Sequence, residues 1–173
     1  VSQLIQEGKN MADVLVVIDM QNGVNSESEP LFRLDDVING INDRIAIYRE
    51  QNLPIIFIQH TGEGLPATSK DFEIFADINI SENDIYVTKT HANSFFHTTL
   101  KVELDKLGVT SIEFCGAQTQ FCVDTTIRFA HGLGYSLFMK QGLHTTTDND
   151  LLSAETIMKH HESLWNSRFL TFI

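Results

Sequence analysis

Val14-Leu15-Val16-Val17-Ile18, followed at once by Asp19, is the stretch whose reading decides the fold. The run has no polar break. A strand with one wet face would alternate, so an unbroken run predicts a strand covered on both faces. Short β-rich runs of this kind recur at residues 55–59, 85–88, 111–115, 136–139 and 169–173. The segments between them carry helical spacing. Asp35 and Asp36 offer caps for a helix bearing Val37, Ile38, Ile41, Ile45 and Tyr48, which Pro54 forbids from continuing. Phe96, Leu100, Leu104 and Leu107 mark a second helix, closed by Gly108. A third opens near Cys122, turns Val123, Thr126, Ile127 and Ala130 inward, and ends at Gly132 or Gly134. In the last, Asp148 or Asp150 caps a face of Leu151, Ala154, Ile157, Met158 and His161. Six strands separated by helices predict one three-layer α/β domain, a six-stranded mostly parallel sheet with helices on both faces. Open sheets of this kind bind ligands beyond the carboxyl ends of their strands.

The chain of 173 residues suits a single domain, expected over residues 11–173, with polar residues 1–10 an appended or loosely held leader. Twelve Lys and Arg against 23 Asp and Glu leave a charge of −11, which repels nucleic acid and anionic membranes alike. No apolar run approaches the ~20 residues that cross a bilayer. Two cysteines, Cys115 and Cys122, are too few for a secreted disulfide framework. A reducing cytoplasm is the expected location.

Three polar groups fall on one sheet edge. Asp19 ends the first strand, Lys89 ends the third, and Cys122 follows the fourth after the short connection 116–121. Each alone has a bland reading as a loop cap, a solvated amine or a small buried hydrophobe. Together they supply an acid, an amine and a thiol. A helix N-terminus and a nearby ammonium both favour a thiolate, and a carboxylate within reach can accept the thiol proton or fix the lysine. Backbone N–H groups around residues 118–122 are placed to hold an oxyanion. Amide hydrolysis through a thioester requires these parts.

The segments VLVVIDMQNG (14–23), VTKTHANSFFHTTL (87–100) and CGAQTQFCVDTTIRFAHGLGY (115–135) resemble the signature blocks of isochorismatase-like cysteine hydrolases. That superfamily includes nicotinamidases, N-carbamoylsarcosine amidohydrolase and streptothricin hydrolase. The resemblance covers nearly the whole chain from Met11 onward. It implies that Asp19, Lys89 and Cys122 form the family's triad. It also implies a cis peptide bond between Ala117 and Gln118, with the amides of Gln118 and Cys122 as the oxyanion hole. Assembly as a homo-oligomer, a dimer or tetramer, is implied as well.

The departures bear on substrate. Nicotinamidases follow the second strand with an Asp-x-His metal motif and a further histidine, whereas this chain reads FIQHTGEG at 57–64. His60 is alone there, and one imidazole without companions does not hold a divalent metal tightly. No metal or other cofactor is expected, and nicotinamide is disfavoured. Isochorismate is disfavoured too, because cleaving its vinyl ether needs no thiol. The family's Asp-Ala pair after the fifth strand is replaced by Gly142-Leu143. Val24, Phe96 and Phe121 are candidate pocket walls, with core packing an equal explanation for the phenylalanines. His60 is a candidate substrate contact, weighed evenly against a loop hydrogen bond. The long connection 61–83 suits a lid or binding loop. His160 and His161, about 100° apart on a helix, cannot face one ligand together. Asp124 and Arg128 suit a surface or interface ion pair.

The expected activity is hydrolysis of a small carboxamide or related C–N bond, with a small molecule as partner. Two rivals stand beside it. One is a silent binding protein of the same fold; the other is a thiol redox protein using Cys115 and Cys122, whose spacing is not C-x-x-C.

Overall fold

The computed structural model describes residues 11–173; the expected leader at 1–10 lies outside them. In chain order the strands are β1 (Val14–Ile18), β2 (Ile55–His60), β3 (Ile85–Lys89), β4 (Ser111–Ala117), β5 (Ser136–Met139), β6 (His144–Thr145) and β7 (Thr171–Phe172). The main helices are α1 (Leu34–Glu50), α2 (Leu100–Leu107), α3 (Asp124–Gly132) and α4 (Ala154–Trp165). The sheet order is β3-β2-β1-β4-β5-β7, with β6 paired to the end of β4, and every ladder is parallel. The sheet therefore has seven strands rather than six. His144-Thr145 is too short to leave a periodic signal, and it forms because β4 runs two residues past Cys115 and offers a free edge there.

Each sheet face has its own core. Leu15, Val17 and Phe57 pack against Val37, Ile38, Ile41, Ile45 and Tyr48 of α1. Val14, Val16 and Ile18 pack against Leu100 and Leu104 of α2, Val123, Ile127 and Ala130 around α3, and Trp165 of α4. All five residues of β1 are buried, as an unbroken apolar run demands. Each such Val, Leu or Ile contributes roughly 1.5–3 kcal/mol on burial. One buried charge crosses the α1 layer: Glu113 of β4 takes a bidentate pair from Arg44 at 2.7 and 2.7 Å and the Tyr48 hydroxyl at 2.8 Å. A buried carboxylate is tolerated there because three donors replace its water.

Several local expectations are corrected. Asp35 and Asp36 lie inside the first turn of α1, where their charge suits the helix dipole, and neither caps it. Phe96 is not on α2: the chain from His91 to Thr99 is irregular, Phe96 is exposed, and Leu107 faces largely outward. Ser153 caps α4 by accepting from the Thr156 amide, so Leu151 precedes the helix and is exposed. Asp148 still holds the entry by accepting from the Ala154 amide at 2.7 Å. The final strand is only two residues long.

The connection from β2 to β3 is tied down rather than loose. Met20 O accepts from the Phe75 amide at 3.0 Å, and Phe72 O accepts from the side-chain amides of Gln21 and Gln59. The chain builds outward from β1 to β2 and β3, then returns to the other side of β1 to add β4. Open sheets of this kind bind ligands at such a reversal, here where β1 and β4 end, and Asp19 and residues 118–122 emerge there.

Candidate active site

Asp19 follows β1 with φ +48°, a left-handed turn that aspartate tolerates better than most residues. Its amide is held by Ile58 O at 3.0 Å, and its side chain is buried. Lys89 ends β3 directly opposite His60 of β2, so both side chains arrive at one level. Cys122 sits in a wide five-residue turn, Thr119–Val123, that leads into α3. The Ala117–Gln118 peptide bond that opens this turn is cis.

The Lys89 ammonium is the hub. Its Nζ lies 2.7 Å from Asp19 Oδ2, 3.1 Å from Cys122 Sγ and 3.0 Å from His60 Nδ1. Its three hydrogens thus meet three acceptors, which is how an ammonium can be buried. Asp19 Oδ1 is buried and has no hydrogen-bond partner among the described residues. An oxygen of this carboxylate lies within 4.8 Å of Cys122 Sγ, so an acceptor for the thiol proton is at hand.

The surroundings of the sulfur oppose the expected thiolate. Burial first and the Asp19 anion second push the Cys122 thiol up to about 12, with Lys89 opposing both. Burial also raises the Asp19 carboxyl, against the pull of Lys89. Burial, reinforced by the neighbouring carboxylate, outweighs the ammonium and favours the protonated sulfur. Asp19→Asn removes the anion and leaves Lys89 in place. It is expected to speed iodoacetamide alkylation of Cys122 at pH 8 about tenfold or more, a factor of ten per unit of lowered pKa. Amide turnover in the same variant is expected to collapse. Slower alkylation would show that Asp19 is not what holds the proton on sulfur.

Asp19, His60 and Cys122 bring three donor atoms within 4.8 Å of one another. A divalent ion does not fit among them while Lys89 holds its place, because Nζ already touches all three groups.

The remaining candidates are scattered more widely. Gln118 and Cys122 share the turn after β4. Phe121 is exposed beside Cys122. Phe96, also exposed, stands edge-on to His91 at 4.8 Å; the basicity of His60 is lowered by burial first and Lys89 next, with His91 a lesser contributor. Val24 packs half-buried with the Leu15–Val17–Met20 cluster, on the face opposite the one Cys122 joins. Cys115 belongs to that same opposite cluster, and both thiols are free. A bridge between them would have to cross the sheet, which removes the geometric basis of the redox rival.

Two supporting residues escaped the sequence reading. Gln21, fully buried, accepts from the His60 amide at 2.7 Å and donates to His60 O at 3.0 Å, fixing the end of β2. His144 lies behind the turn with Cys122, its Nδ1 2.9 Å from Thr119 Oγ1 and its Nε2 3.1 Å from Glu162. Asp124 and Arg128 do pair, at 2.8 Å, and Asp124 also accepts from the Trp165 indole. Among the described residues no helix is long and apolar enough to cross a membrane.

The model of the isochorismatase domain matches residues 13–164. The chain belongs to the isochorismatase family. As a member it is a hydrolase. It is 29% identical over 161 residues to Nicotinamidase 3 of Arabidopsis thaliana, covering 83% of this chain and 78% of that protein. It is 27% identical to a ureidoacrylate amidohydrolase of Variovorax paradoxus, covering 72% and 65%. The crystal structure of an isochorismatase family protein superposes with a TM-score of 0.92 at 44% identity, covering 92% of this chain and 96% of that one.

Proposed function

We propose that this family member hydrolyses a small carboxamide or a related non-peptide C–N bond through a thioester on Cys122. The observation that carries the proposal is one ammonium, Lys89 Nζ, lying 2.7 Å from a buried carboxylate and 3.1 Å from the sulfur. Asp19 takes the thiol proton as Cys122 attacks the carbonyl. The raised basicity of Asp19 suits it to that task, since a proton acceptor works best when its pKa approaches that of the group it serves. Lys89 neutralises the sulfur while its proton is away. The amides of Gln118 and Cys122 hold the tetrahedral oxyanion, a contribution of ~3 kcal/mol per donor in acyl transfer. Water then clears the thioester, and no metal takes part.

The relatives named for amidohydrolase and nicotinamidase activity support cleavage of a C–N bond. His60, Phe96 and Phe121 are the groups that would meet the substrate; Val24 has the weakest case, given where it packs. Assembly as a homo-oligomer remains part of this proposal. A screen of primary amides and ureides for ammonia release, with Cys122→Ala as control, tests it. Release by the parent protein and none by the variant is the expected result. Equal release by both overturns the thioester.

A further inference from the structure

We propose that His60 relays a proton between Lys89 and the leaving nitrogen, giving at its outer ring nitrogen during acylation and receiving there during hydrolysis. The proposal rests on the thioester reading above.

The geometry settles which nitrogen does what. Lys89 Nζ lies 3.0 Å from His60 Nδ1 and also contacts Asp19 and Cys122. An ammonium has only donors, so Nδ1 is the acceptor and the ring proton is on Nε2. Burial and Lys89 both lower the basicity of His60, which keeps the ring neutral. Nε2 makes no hydrogen bond to any described residue, and the ring is only half-buried. The titratable groups around it are Asp19 at the end of β1, Lys89 on β3, Cys122 on the turn before α3, and His91 beyond β3. Asp19 and Lys89 are 3% and 1% exposed, so both are sealed behind the site. They can store a proton, and His60, less buried than either and in contact with Lys89, can pass it outward. The Gln21 amide, bonded to both the N–H and the C=O of His60, holds the intermediary still.

The protons balance. In acylation the thiol proton moves to Asp19, sulfur bonds to the carbonyl carbon, and the carbonyl pair becomes the oxyanion. As the oxyanion collapses the C–N bond breaks, nitrogen takes the Nε2 proton of His60, and Lys89 gives a proton to Nδ1. Lys89 is then a neutral amine, Asp19 a neutral acid, and His60 carries its proton on Nδ1. In the second half a water proton goes to Nε2, Nδ1 returns its proton to Lys89, and hydroxide adds to the thioester. Sulfur leaves and recovers its proton from Asp19. Each group ends as it began.

The test uses a primary carboxamide that the parent protein cleaves and the p-nitrophenyl ester of the same acid. The nitrophenolate leaves without a proton; the amine cannot. His60→Asn keeps an acceptor for Lys89 and cannot relay. The variant is expected to release a stoichiometric nitrophenolate burst within about tenfold of the parent rate, with an acyl group on Cys122 visible by mass. Ammonia release from the carboxamide is expected to fall by roughly 10²-fold or more. His60→Gln repeats the trial should Asn fail to fold, the burst certifying an intact nucleophile in either. Equal losses of burst and ammonia release would mark His60 as a positioning residue and overturn the relay. Unchanged ammonia release would overturn it too. A burst that depends on Cys122 in a parent protein that cleaves no carboxamide would instead overturn the amidase reading, and the relay with it.

Discussion

Cys122→Ala is expected to lower carboxamide turnover by roughly 10⁴-fold or more while leaving the fold standing. The size of the effect follows from what is lost. Without sulfur no covalent intermediate forms, and Asp19, Lys89 and the turn amides are left to assist only a direct attack by water. The packing cost is small, because Cys122 is partly exposed and truncation removes one atom. Lys89, a buried ammonium, loses one of its three acceptors, worth about 1.5–3 kcal/mol. In a chain of this length that lowers the melting temperature by ~3–12 °C. Circular dichroism melts run beside the activity assay separate the two effects. Mass spectrometry adds a positive sign, an acyl adduct on the parent protein that is missing from the variant. Residual activity within tenfold of the parent would mean the sulfur is a bystander.

The layers of this fold were legible because burial on both faces imposes a composition. Val14–Ile18 could be read as a central strand since nothing in a two-faced strand is free to be polar. The same logic hides Glu113, a charge in the middle of β4 whose partners, Arg44 and Tyr48, lie on another element 65 or more residues away. Short pieces were not legible. His144-Thr145 pairs with β4 by position, with no pattern of its own. Phe96 was misplaced because an apolar residue four before Leu100 imitates a helical face, while the actual chain there is irregular.

The candidate site was legible in its residues and less so in its charges. Asp19, Lys89 and Cys122 could be named because strand ends of a parallel sheet point to one edge. Their protonation could not, because it depends on burial and distances: the depth of the sulfur, and then the carboxylate beside it, oppose the thiolate that the ammonium favours. His60 could be named but not given a tautomer until Lys89 was found against Nδ1. Gln21 had no signal beyond its place two residues after Asp19, since the groups it binds are backbone atoms of a different strand.

The backbone that carries this site tolerates least at Gly116, and Gly116→Ala is expected to cost about 4 kcal/mol or more, at the extreme of single substitutions. Gly116 has φ +125°, and a Cβ built there would lie 2.1 Å from Ile18 O and 2.7 Å from Ile18 N. Those atoms belong to the neighbouring strand, whose register sets Ile18 opposite Gly116, so they cannot rotate away as a side chain would. Relief requires parting β1 from β4 at the point where the sheet delivers Asp19 on one strand and the turn to Cys122 on the other. At ~2–4 °C per kcal/mol the melting temperature should fall by ten degrees or more. Any protein that still folds should be a poor catalyst, since separating the two strands pulls the carboxylate from the sulfur. Gly132→Ala is the matched control: a Cβ there meets nothing within 4 Å, and its helical position favours alanine by up to ~1 kcal/mol. Equal melting temperatures for the two variants would show that β1 and β4 do not meet in this register, and the placement of Asp19 beside Cys122 would fail with it.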